Sequence, residues 1–212
     1  MTGKWATWSS TTEDANNLTS PYVRTTAAGA SSLIKTLEYM PEGTYKLEAN
    51  CYAYYNAYMA RNRQELFLNT GTLTINSARN RTATLRTLTS DVTTTNTLEF
   101  GIRTTSSSCA TNIAMDNVKL IYQGSSAEYI EGIENITYNK TANAEALVNK
   151  RMNADIRDAL RTALNNISTP LNNYTAKIAS GTATPNDVEP WIAAMNALST
   201  TAAENSIAQY AK

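Results

Sequence analysis

The period of the apolar pattern changes near residue 124, and that change restricts the fold more than any other feature of the chain. Before it, apolar residues recur at every second position in short runs. Tyr45, Leu47, Ala49, Cys51 and Ala53 alternate with Lys46, Glu48, Asn50, Tyr52 and Tyr54. Leu98, Phe100 and Ile102 alternate with Thr97, Glu99 and Arg103. Shorter runs hold Leu66 and Leu68, then Leu73 and Ile75, then Leu85, and Val118, Leu120 and Tyr122 close the series. A two-residue period sends alternate side chains to opposite faces of a strand. Its repetition at about ten-residue spacing predicts an antiparallel jelly-roll β-sandwich over residues 1–124. Turn signals sit between the runs, at Pro41 to Gly43, Asn69 to Gly71, Asn76 to Asn80 and Ser106 to Ser108. The 32 threonines and 23 asparagines agree with this reading, since Thr favours strands and Asn favours turns.

After Gly124 the spacing becomes helical. Val148, Met152, Ile156, Ala159, Ala163 and Ile167 step by three or four, and Leu160 and Leu164 widen the stripe. The pattern predicts a small three-helix bundle over 141–212. Thr141 is placed as the first N-cap. Thr169 and Pro170 end that helix and start a second, whose buried face holds Leu171, Tyr174 and Ile178 and which Gly181 terminates. A third helix carries Val188, Trp191, Met195, Leu198 and Ala202, with Asp187 as its cap and Pro190 in its first turn. The intervening segment, 125–140, contains Tyr129, Ile130, Ile133, Ile136 and Tyr138. It is too apolar for a floppy tether and is expected to be a packed linker.

Composition removes several functions. Lys plus Arg and Asp plus Glu both number 18, and His is absent. A zero net charge argues against electrostatic nucleic-acid binding. The lack of His excludes Ser-His-Asp and Cys-His nucleophile systems and His-ligated zinc. No phosphate loop occurs, and no apolar run is long enough to span a membrane. Paired carboxylates suited to glycoside hydrolysis are not singled out among Glu38, Glu42, Glu48, Glu65, Asp91, Glu99 and Asp116, so no enzyme activity is expected. Two cysteines, Cys51 and Cys109, are too few for a disulfide framework. Cys51 falls on the core face of its strand as a buried thiol, with a Cys51–Cys109 bridge as the other reading.

Two segments resemble a known family. Met40-Pro41-Glu42-Gly43-Thr44-Tyr45-Lys46-Leu47 is a turn leading into a strand, and Ala114-Met115-Asp116-Asn117-Val118-Lys119-Leu120-Ile121-Tyr122 is a closing strand. The pair resembles the galactose-binding-like β-sandwiches, which include many carbohydrate-binding modules, notably those of secreted or surface proteins of gut Bacteroidetes. The Gly3-Lys4-Trp5 start is similar to a Gly-x-Trp segment of such domains, and the likeness covers about residues 3–124. The opening strand that usually precedes Gly-x-Trp is missing, and no apolar leader follows Met1. Either an edge of the sandwich is supplied otherwise or the chain is a fragment of something longer; the resemblance implies an extracellular or cell-surface parent protein with other domains. It also implies, in some relatives, a structural calcium near the position of Asp116; backbone capping by Asp116 and Asn117 is the other reading. No other cofactor is expected.

The densest aromatic stretch gives the candidate ligand site. Tyr52, Tyr54 and Tyr58 precede Arg61 and Arg63, and Asn50 shares the strand face of Tyr52 and Tyr54. Flat rings cover the C–H faces of sugars, while Asn and Arg supply hydrogen bonds to hydroxyls. The other reading packs these tyrosines under a loop, the helical part or a neighbouring strand. Arg79, Arg81 and Arg86, with Arg61 and Arg63, form either a basic strip for acidic glycans or an ordinary solvated strand face. The leading expectation is a non-catalytic carbohydrate-binding or accessory module of a glycan-processing or adhesive protein. The alternative is a structural spacer or protein-interaction module without sugar binding.

Overall fold

A computed structural model describes residues 23–25, 32–55, 64–75, 83–104 and 111–211. The chain forms two compact units, Met1–Gly124 and Ser125–Lys212. The first is a β-sandwich, and the second is a small helical region.

The described strands of the sandwich are β1 (Val23–Thr25), β2 (Ser32–Leu37), β3 (Gly43–Tyr55), β4 (Gln64–Leu68), β5 (Gly71–Thr74), β6 (Thr84–Val92), β7 (Leu98–Thr104) and β8 (Thr111–Tyr122). They form two four-stranded antiparallel sheets, in the orders β1-β8-β3-β6 and β2-β7-β4-β5. The expected alternation sets the core. Tyr45, Leu47, Ala49, Cys51 and Ala53 of β3 are buried, as are Leu66 and Leu68 of β4 and Leu98, Phe100 and Ile102 of β7. Leu120, Met115 and Ile113 of β8 join them, but not on one uninterrupted period. The register between β3 and β8 slips between Glu48 and Asn50, where Asn117 stands at φ +48°. A bulge inserts one residue and reverses the parity of the strand. Hence Leu47 opposes Leu120 before it, whereas Cys51 opposes Met115 after it.

Three asparagines adopt the left-handed conformation that Asn tolerates better than most residues: Asn69, Asn96 and Asn117. Two of them tie strands together. The Asn69 amide donates to the Asp91 carbonyl (2.9 Å), and its carbonyl accepts from the Glu99 amide (2.9 Å). Since Asp91 belongs to one sheet and Glu99 to the other, Asn69 joins both at one end of the sandwich. Asn96 donates to the Met40 carbonyl and accepts from the Met40 amide through its backbone. This fixes the turn before β3. There the Tyr45 hydroxyl donates to the Pro41 carbonyl (2.9 Å), and Gly43 sits at φ +135° against the Tyr122 ring. A Cβ at that glycine would lie 2.7 Å from the ring, so no larger residue fits without displacing it.

Strand β6 departs from the expected pattern. Leu85 is 64% exposed, while Arg86, Leu88, Ser90 and Val92 oppose the buried face of β3. Arg86 therefore does not belong to a solvated strip: it is the register partner of fully buried Ala49. Arg79 and Arg81, like Trp5 and Cys109, lie outside the described residues. Cys51 is a free, buried thiol.

The helical region corrects the expected three-helix boundaries. Helix α1 spans Ser126–Val148, α2 Ala154–Ala179, α3 Glu189–Ala197 and α4 Thr201–Tyr210, so four α-helices are described rather than three. The segment 125–140 is no linker. Ser125 caps α1 through a reciprocal pair: the Ser125 amide donates to Glu128 (2.6 Å), and the Glu128 amide donates to Ser125 Oγ (3.2 Å). Tyr129, Ile133 and Ile136 are buried because they lie on the α1 stripe, and Thr141 is buried inside that helix rather than capping it.

Pro170 does not end a helix either; it lies within α2, whose cap is Asn153. An interior proline costs about 3 kcal/mol. Beyond it, however, the stripe of Leu160 and Ile167 continues to Tyr174 and Ile178, both buried. Burial of large apolar side chains contributes about 1.5–3 kcal/mol each, which offsets the break. Likewise Asp187 caps no helix but ends a single 3-10 turn, Pro185–Asp187, whose cap Thr184 donates its amide to the Asp187 carboxylate (2.7 Å), and Val188 precedes α3 with Pro190 in its first turn. The core closes around Trp191, as expected. Its indole donates to Thr137 Oγ1 (3.0 Å), which in turn donates to the Ile133 carbonyl (2.8 Å), and Tyr174 stacks on the ring at 6.4 Å.

Candidate functional site

Strand β3 occupies an inner position in its sheet, between β8 and β6, and is 13 residues long. Its even-numbered positions are those not taken by the core. The register builds rows across the sheet on that side. Lys46 stands between Thr89 of β6 and Ile121 of β8. Glu48 stands between Thr87 and Lys119, and Asn50 between Leu85 and Asp116. Tyr52 then opposes Ala114, which itself opposes Arg24 of β1, and Tyr54 opposes Asn112. Successive rows are about 7 Å apart and neighbouring strands about 4.8 Å apart.

Asn50, Tyr52 and Tyr54 are thus brought into one line, as their spacing predicts. Tyr58, Arg61 and Arg63 lie outside the described residues. Register also adds neighbours that no local signal in the sequence reveals. Leu85 and Asp116 flank Asn50 although they are 35 and 66 positions away from it in the chain. Pairing across strands is set by turns and bulges, not by the residues that end up adjacent.

The lower rows are polar and open. Thr87, Thr89 and Lys119 are exposed, and Lys46 pairs with Glu48 at 2.8 Å. That hydrogen bond from Lys46, with Lys46 and Lys119 nearby, holds the Glu48 carboxyl below its ordinary range. The upper rows are more enclosed: Asp116 is 2% exposed and Ala114 is fully buried. On the inner side, burial pushes the Cys51 thiol up to about 12, against a smaller opposing pull from Arg86. A thiol in that state is a small hydrophobe, not a nucleophile.

Calcium needs six to eight oxygen ligands, several of them charged. Among the described residues no group of three or more acidic, Cys or His side chains gathers anywhere, Asp116 included. Three other carboxylates of the sandwich hold strands together. Asp91 accepts from Thr44 Oγ1 (2.6 Å), Glu99 accepts from Thr36 Oγ1 (3.3 Å), and Glu65 pairs with Arg103 (3.0 Å). Among the described residues no helix is long and apolar enough to cross a membrane.

No family model matches the chain, and no curated protein matches it. Among solved structures, the sandwich is similar to carbohydrate-binding modules of family 35. One is the module of Abf62 from Cellvibrio japonicus, with 17% identity, 53% of this chain and 87% of that chain covered, and a TM-score of 0.35. Another comes from an environmental isolate, with 18% identity, 54% and 88% coverage, and a TM-score of 0.33. A third, Xyl-CBM35 in complex with a glucuronic acid containing disaccharide, shares 15% identity over 58% of this chain and 94% of that chain, with a TM-score of 0.37. A β-glucosidase from Kluyveromyces marxianus matches over 57% of this chain but 13% of its own, with a TM-score of 0.28.

Proposed function

We propose that the chain is a non-catalytic carbohydrate-binding module of an extracellular glycan-processing or adhesive protein. The observation that supports it is the line Asn50, Tyr52, Tyr54 on β3, flanked in register by Leu85, Asp116 and Asn112. Amide, carboxylate and aromatic groups at strand spacing match what a sugar presents: hydroxyls at its rim and C–H groups on its faces. In this reading Tyr52 and Tyr54 stack on sugar rings and Asn50 bonds their hydroxyls. Tyr58, Arg61 and Arg63, which follow β3 in sequence, are the further candidates of this reading. Asp91, Glu99 and Glu65, engaged in strand-to-strand bonds, are not free for the acid–base work that a glycoside hydrolase asks of two carboxylates.

A second reading, a spacer or protein-interaction module, is favoured by one observation: Ala114 and Asp116 are buried where Tyr52 and Asn50 meet them. Cover on that part of the sheet would leave little ring surface for a ligand. A glycan array spanning plant, host and microbial polysaccharides separates the two. Binding that is lost in the double variant Y52A/Y54A, with far-UV circular dichroism unchanged, supports the module; absence of binding to every glycan by the folded protein refutes it.

A further inference from the structure

The sandwich interior contains two polar side chains where its pattern calls for apolar ones. Gln64, the first residue of β4, is fully buried, and neither atom of its side-chain amide has a hydrogen-bond partner among the described residues. Arg86 of β6 faces inward beside Ala49, and its Nε is likewise buried without a partner among the described residues. The two belong to opposite sheets.

Their level in the sandwich follows from the Asn69 tie. Asn69 bonds Asp91 at one end, and five residues back from each stand Gln64 and Arg86. At about 3.3 Å per residue, both lie about 16 Å from the tie. They also lie towards the same end: Arg86 precedes the tie on a strand whose start, Thr84, opposes Cys51 late in β3, and Gln64 begins the strand that follows β3. Strands β4 and β6 pack against each other across the two sheets.

Buried polar groups without partners are costly, and native interiors satisfy them with protein or with ordered water. The unsatisfied set here is specific. Gln64 Nε2 and Arg86 Nε are donors, and Gln64 Oε1 is an acceptor. A bare anion would satisfy the donors and leave Oε1 unmet; a metal cation would meet Oε1 and be repelled by Arg86. Only a group that both donates and accepts fits all three. We propose that Gln64 and Arg86 form an inter-sheet binding site for a hydroxylic oxygen, supplied either by solvent water or by the hydroxyl of a small polyol. The site faces the interior, so it stands or falls apart from the glycan line on the other side of β3.

Two measurements on the full chain test it. In 15N-labelled protein, the Gln64 side-chain amide protons are expected to show through-space cross-peaks to water of long residence in plain buffer, or to glycerol when that polyol is added; which one appears identifies the source. The second is the sign of a substitution. If an oxygen bridges the pair, Gln64→Met removes two of its bonds and lowers the thermal midpoint of the sandwich by about 4 °C or more. If nothing is bound, Gln64 suffers desolvation without return, and Met at that position raises the midpoint. Cross-peaks together with a lowered midpoint support the site. Cross-peaks from the Gln64 amide to protein side chains alone, or a midpoint that stays level or rises in Q64M, overturn it.

Discussion

Replacing Pro170 by Ala distinguishes a continuous α2 from two helices meeting at Thr169. In the structure, Pro170 lies deep within Ala154–Ala179, where it supplies no N–H to the carbonyl one turn back. Proline in a helix interior is about 3 kcal/mol less favourable than alanine. Part of that is returned, because alanine leaves the unfolded chain freer by about 0.4–1 kcal/mol. The net expectation is a gain of about 2 kcal/mol. For a unit the size of Ser125–Lys212, 1 kcal/mol moves the midpoint by about 4–8 °C, so P170A is expected to melt about 10 °C higher. The assay is thermal unfolding of the whole chain followed at 222 nm, where the helices dominate. A midpoint unchanged or lowered in P170A would refute the reasoning, because it would place Pro170 in a first helical turn, where proline costs nothing and its fixed φ helps.

Two further perturbations probe the scaffold. Asn69→Ala removes the hydrogen bond to Asp91 that joins the two sheets and the one from Glu99 within its own sheet, and places a residue less tolerant of the left-handed conformation at φ +49°; a loss of about 2–3 kcal/mol is expected in urea unfolding of the sandwich, and a loss below measurement would show that the tie contributes nothing. Asp187 is held down to about 2 by hydrogen bonds from Lys177 and Thr184. A depressed carboxyl stabilises the fold above its ordinary value and loses that contribution as pH falls through about 2; the midpoint difference between wild type and D187N should therefore be full at pH 5 and shrink towards pH 2, and a difference that does not vary with pH would contradict the assigned bonds.

The parts of the fold legible in the sequence were those where one local pattern governs the outcome. The alternation from Tyr45 to Ala53 needed only period 2, and the burial of Trp191 only its place on a helical stripe. Where two patterns compete, local reading failed for identifiable reasons. The bulge at Asn117 reverses the parity of β8, so Val118 is half-buried while Met115 and Ile113 join the core. Strand β6 alternates threonine with mixed residues, which hides that Arg86 is inward and Leu85 outward. Pro170 signals a helix boundary, yet the apolar stripe on both sides of it prevails over the signal. The capping box at Ser125 and Glu128 is a readable start signal, and its weight over Thr141 comes from the stripe of Tyr129, Ile133 and Ile136 that follows it. For the candidate site, the line Asn50, Tyr52, Tyr54 is a property of one strand and was legible; its neighbours Leu85 and Asp116 depend on register and were not.

The glycan line on β3 is tested most directly by titration calorimetry of the full chain with the oligosaccharide that scores highest on an array, beside the single variants N50A, Y52A and Y54A. Loss of one stacking ring or of the amide is expected to weaken binding at least tenfold, about 1.4 kcal/mol, with the melting midpoint of the sandwich preserved. Wild-type affinity in all three folded variants would contradict the assignment of that face.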